Sequence, residues 1–88
     1  MELKTHKVII TTPAQKEMRK IPTDYYRAIV KHVFELAENP RPFGCIKLSG
    51  FENSYRIRVG MYRIIYTIED EILTVEVVKV DHRNSVYK

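Results

Sequence analysis

The stretch SYRIRVGMYRIIY, residues 54 to 66, decides how this chain folds. Gly60 suits the first central position of a type II′ turn over Val59-Gly60-Met61-Tyr62, which needs a positive φ and matches the twist of two antiparallel strands. The turn sets the pairing: Val59 faces Tyr62, Arg58 faces Arg63, Ile57 faces Ile64, Arg56 faces Ile65 and Tyr55 faces Tyr66. Side chains alternate with a period of two, so Tyr55, Ile57, Val59, Tyr62, Ile64, Tyr66 and Ile68 make a core face. The opposite face collects Arg56, Arg58 and Arg63, with no acidic residue in the stretch. Like charges directly opposed in a sheet are destabilising, so the Arg58/Arg63 pair calls for an offsetting partner.

Downstream, a turn at Asp70-Glu71 leads into a third strand over 72–80, with Leu73, Val75 and Val77 continuing the core face. That register sets Val78 beside Arg63 and Glu76 beside Ile65, and extending the strand brings His82 onto the arginine face. Upstream, HKVIIT at 6–11 reads as a first strand. A helix follows with Thr12 as N-cap, Pro13 at N1 and Gln15 at N3, burying Ala14, Met18 and Ile21. A second helix starts between Pro22 and Asp24 and runs to about Glu38, its apolar face formed by Tyr26, Ile29, Val30, Val33, Phe34 and Ala37. Pro40 disfavours helix at Asn39 and ends it. The segment RPFGCIKLSGFEN reads as a loop with a short strand at 46–48. The expected architecture is α+β, in the order β-α-α-β-β-β: an antiparallel sheet of about four strands packed on two N-terminal helices.

A chain of 88 residues makes one domain, 1–88, with room for a single core, so an active site lies on that core's surface. Its composition, 44% hydrophobic and 30% charged, is that of a globular protein, and no run approaches the roughly 18 apolar residues of a membrane span. The start, MELKTHKVII, lacks the apolar segment and cleavage site of a secretory signal, which points to the cytoplasm. Cys45 is the sole cysteine and forms no recognised metal-ligand spacing with His6, His32 and His82, so neither a disulfide nor a metal or other cofactor is expected. The net charge of +4 favours an anionic partner. Between residues 41 and 66 stand Arg41, Lys47, Arg56, Arg58 and Arg63 against Glu52 alone, which accounts for the excess.

Two readings fit the arginine face. Guanidinium groups can simply splay into solvent on an outer face. Alternatively they form an anion site, because arginine forks match phosphate oxygens bidentately and a rigid sheet holds them ready for charge that grows during reaction. The tail DHRNSVYK adds Arg83 and Tyr87 within reach. Tyr87 either packs back on the sheet or offers a stacking surface to an RNA base. His82 is either structural or the one ordinary acid/base candidate at neutral pH near this constellation.

The pattern from KLSGFENSYRIRVGMYRIIY to HRNSVY, with its β-α-α start and LAENP helix end, closely resembles the RelE branch of the RelE/ParE toxins of type II toxin-antitoxin systems. The resemblance covers essentially the whole chain. It implies an endoribonuclease that cuts mRNA in the ribosomal A site, without a metal, and is neutralised by a cognate antitoxin. The family's active site maps here onto Arg56, Arg58, Arg63, Arg83 and Tyr87, with Lys47 matching a basic residue in the preceding loop. In the best-known form of the family, lysines stand where this chain has Arg56 and Arg58. Arginine essentially stays charged, so these two are assigned to phosphate and transition-state charge rather than to proton abstraction. Proton transfer then falls to His82, to ribosomal RNA or to no dedicated group.

Two other functions compete: a ParE-like toxin that inhibits DNA gyrase by binding it, and a silenced toxin that binds only its antitoxin. The antitoxin is expected to offer an acidic amphipathic segment. The resemblance also raises operator DNA as a ligand of the toxin-antitoxin complex, without deciding it.

Overall fold

The computed structural model describes residues 5–82. Its elements are β1 (Lys7–Ile10), α1 (Thr12–Arg19), α2 (Thr23–Glu35), β2 (Ile46–Lys47), β3 (Ser54–Val59), β4 (Tyr62–Glu69) and β5 (Thr74–His82). The strands form one five-stranded sheet in the order β1-β5-β4-β3-β2. The α+β class stands, but the sheet is mixed, because β1 runs parallel to β5 while the other pairs are antiparallel. The two helices carry the chain across one face from β1, at the edge beside β5, to β2, at the opposite edge beside β3.

The hairpin has the expected register, with Val59 opposite Tyr62 and Arg58 opposite Arg63. Gly60 has φ +60 and Met61 does not share a positive φ, as a type II′ turn requires. The core face holds: Ile57, Val59, Ile64, Tyr66 and Ile68 are buried, joined by Val75, Val77 and Val80 from β5. Tyr66 Oη donates to the Pro40 carbonyl at 2.7 Å, which fixes the end of the helix layer against the sheet.

The third strand departs from expectation in two steps. A 3-10 turn at Asp70–Ile72, closed by Leu73 at φ 48, replaces the two-residue turn. Glu69 consequently pairs with Thr74, two residues further on, which leaves the parity of Val75 and Val77 intact and puts Leu73 in the loop. A β-bulge then lets Tyr66 pair with Val77 and Ile65 with Lys79, so Val78 has no opposite number. One extra residue flips every side chain beyond it: Val80 enters the core, Asp81 comes opposite Arg63, and His82 comes opposite Tyr62. Past the end of β1, the Val80 N–H donates to Glu17 Oε1 at 2.8 Å, so α1 satisfies the bulged strand's backbone.

The helices form as the spacing predicts, with two shifts. Thr11, not Thr12, is the N-cap, its Oγ1 accepting from the Ala14 N–H at 3.4 Å, while the Gln15 side chain donates to the Ile10 carbonyl at 2.7 Å. Helix α2 ends at Glu35 and buries Ile29 and Val33, with Leu36 just beyond it. Tyr26 and Phe34, expected inside, are exposed, because a helix lying across a sheet buries a stripe narrower than its apolar surface. No helix of the described residues is long and apolar enough to cross a membrane.

Candidate anion site on the open face of the sheet

Facing residues of an antiparallel pair share a side of the sheet, so the register alone gathers Arg56, Arg58 and Arg63 on the face away from the helices. The partner that offsets the Arg58/Arg63 opposition is Asp81, brought there by the bulge. Arg63 Nε and Nη2 each donate to one Asp81 carboxylate oxygen at 3.2 Å, a fork-on-fork pair in which the two side chains are 15% and 11% exposed. Such bidentate pairing fixes both position and plane of the guanidinium. Arg63 is therefore a held cation rather than a splayed one.

Arg58 is exposed and Arg56 half-buried, and neither forms an ion pair among the described residues. Arg56 lies between Ile46 of β2 and Ile65 of β4, and its Nε is enclosed without a hydrogen-bond partner. Burial, and then the repulsion of Arg58 and Arg63, lowers the Arg56 pKa. An anion placed between these groups would relieve the repulsion and supply the missing acceptor.

The remaining cations divide differently from what their place in the sequence suggests. Lys47 pairs with Tyr55 across β2 and β3, which puts it on the helix side of the sheet instead of beside the arginines. His82 is on that side too, edge-on to the Tyr62 ring at 5.3 Å between centroids, because the bulge reversed its parity. Arg41 donates from Nη2 to Asp70 at 2.8 Å and from Nε to the Tyr55 hydroxyl at 3.3 Å. Asp70 also takes His6 Nε2 at 3.0 Å, so Arg41 ties the loop before β2 to the turn before β5. The hydrogen bonds from Arg41 and then His6 hold the Asp70 carboxyl below the usual carboxylate range. Arg83 and Tyr87 lie outside the described residues.

Sequence reasoning missed Asp81, whose sole signal was its place at the end of the last strand, hidden by the bulge. It also passed over Phe43, although P-F-G-C has the form of a turn with glycine third. Chemically, the open face presents one immobilised guanidinium and two unneutralised ones. Guanidinium groups so placed can accept a phosphate between them, and can accommodate extra negative charge on it.

Comparisons with known proteins place the chain in a family and match its fold. The family described as the ParE toxin of the type II toxin-antitoxin system parDE matches residues 8–87. The toxin RelG of Mycobacterium tuberculosis is 33% identical over 82 residues, covering 92% of this chain and 94% of RelG. The toxin-antitoxin complex RelBE2 of the same organism superposes with a TM-score of 0.80 at 32% identity, covering 93% of this chain and 95% of that one. The archaeal RelE-RelB complex of Pyrococcus horikoshii gives 0.81 at 30% identity, covering 90% and 96%.

Proposed function

Because the chain belongs to the RelE/ParE superfamily of type II toxin-antitoxin toxins, we propose that it is the RelE kind of toxin, an endoribonuclease that cuts mRNA in the ribosomal A site. The observation that carries this reading is the convergence of Arg56, Arg58 and Arg63 on one open sheet face, with Asp81 locking the fork of Arg63. In the reaction, the RNA 2′-oxygen attacks the adjacent phosphorus and the bond to the 5′-oxygen breaks. The products are a 2′,3′-cyclic phosphate and a 5′-hydroxyl. The proton leaves the 2′-hydroxyl and one is returned to the departing 5′-oxygen.

Arg56 and Arg58 hold the scissile phosphate, and Arg63 meets the charge that grows on its non-bridging oxygens as the phosphorus becomes five-coordinate. Asp81 orients Arg63. Arg83 and Tyr87 join from the C-terminal segment, the first on phosphate and the second on a base. Lys47 and His82, on the other side of the sheet, take no part in the chemistry in this account, and proton transfer is left to the ribosomal surroundings.

The partner that restrains the toxin is an antitoxin, in line with the toxin-antitoxin complexes solved for similar chains. Helix α2 leaves Tyr26 and Phe34 exposed, two turns apart with Val30 half-buried between them, and this stripe suits an amphipathic antitoxin segment. The ParE name of the matching family keeps gyrase inhibition as the competing activity. Brief expression followed by mapping of mRNA 5′ ends separates them: codon-phased cuts support the ribonuclease, and DNA breaks without cuts support gyrase.

A further inference from the structure

Between the turn that precedes β2 and the strand β3, beside the arginines, lies a cleft of about 460 Å³ lined by Phe43, Gly44, Ile46, Arg56, Ile57 and Arg58. Phe43 is wholly in solvent, with a relative exposure of 107%, and Ile46 is half-exposed on the same rim. An aromatic ring this bare gains nothing for the fold, since burial is what makes Phe stabilising. Yet a turn sets the backbone that carries it. The Cys45 N–H donates to the Pro42 carbonyl at 3.0 Å, closing a four-residue turn in which Gly44 has φ +92. A positive φ at the third residue is the mark of a type II turn, and it holds Phe43 at the second. A Cβ on Gly44 would meet no atom within 4 Å, so the glycine is there for the backbone angle and not for room.

We infer that Phe43 is a base-stacking platform: the nucleobase next to the phosphate held by Arg56 and Arg58 lies against its ring, making Phe43 a substrate-positioning residue. The inference rests on the ribonuclease reading and gives its site a second point of contact. A flat apolar surface next to unneutralised guanidinium groups matches single-stranded RNA, whose phosphates meet cations while its unpaired bases stack on aromatic rings. Stacking of this kind tolerates any base, so Phe43 sets the register of the strand more than its sequence.

The test is the affinity of the full chain for a 2′-O-methyl trinucleotide, which cannot be cut, and for the same phosphates without bases. The wild type should prefer the base-bearing form by at least the roughly 5- to 150-fold that one stacked base supplies. Phe43→Ala should lose about 5- to 150-fold of that preference while keeping its affinity for the abasic form, and Phe43→Tyr should retain it. A preference unchanged in Phe43→Ala, or absent from the wild type, overturns the inference. So does a Phe43→Ala chain that binds RNA normally but has lost its antitoxin, which would assign the ring to the protein partner. A wild type that makes no mRNA cuts counts against the ribonuclease reading, whereas cutting at equal rates by wild type and Phe43→Ala counts against this inference alone.

Discussion

The two sides of the β3–β4 hairpin are built from alternate residues of the same strands, yet they obey different rules. On the helix side Ile57, Ile64 and Tyr66 are buried and touch α1, α2 and β5 through one continuous core. On the open side Arg56, Arg58 and Arg63 crowd like charges that the fold does not require, and Asp81 offsets only part of the repulsion. Residues adjacent in sequence therefore differ in purpose. One set holds the sheet together, and the other makes the sheet attractive to an anion at some cost to the free protein.

Substitutions on the two sides should separate stability from activity. Ile64→Ala, at a fully buried position, should cost about 2 to 5 kcal/mol in urea unfolding, with cleavage per folded molecule unchanged. Arg58→Ala, six residues earlier and on the other side, should change stability by no more than about 0.5 kcal/mol and lower the cleavage rate by about 100-fold. An Arg58→Ala chain that unfolds like Ile64→Ala would break the division between the faces. A double-mutant cycle of Arg63→Ala with Asp81→Ala should give a coupling of about 1 to 3 kcal/mol in stability, because the pair is largely enclosed.

The smallest effect belongs to Tyr66→Phe, which loses the hydrogen bond to Pro40 and should cost about 1 kcal/mol at neutral pH. Burial, and then the neighbouring Cys45, pushes the Tyr66 pKa up in the folded chain. The folded state thus keeps the phenol neutral while the unfolded chain ionises near the ordinary tyrosine value of about 10. Stability from this group is complete below that pH and declines as pH rises from there toward the folded value. The alkaline slope of stability should be shallower in Tyr66→Phe than in the wild type.

How much of this was legible depends on how local the cause is. The β3–β4 register follows from Gly60, a single residue inside the turn, so the arginine face and the core face could both be read from thirteen residues. The register of β5 depends on a bulge whose backbone donor is satisfied by Glu17, more than sixty positions away in the chain, and no local pattern announces it. That is why Asp81 was hidden and His82 was placed on the wrong side. Charge counted along the sequence misled for the same reason. Arg41 is met by Asp70 and Arg63 by Asp81, both beyond the segment in which they were counted as excess. The parallel docking of β1 and the exposed stripe on α2 are likewise products of packing. The N-cap moved by one residue because Thr11 and Thr12 are chemically equivalent candidates, and the β1 end selects the first.

The central claim is that the open face is a phosphate-transfer site, and Arg63 is its centre. The direct measurement is mRNA 5′-end mapping after brief expression of the wild type and of Arg63→Ala at equal folded level, with end-group analysis of the fragments. The account predicts codon-phased cuts carrying 5′-hydroxyl and 2′,3′-cyclic phosphate ends in the wild type, absent in Arg63→Ala although it still binds antitoxin. Undiminished cutting by Arg63→Ala, or a wild type that halts growth with no cuts at all, would contradict it.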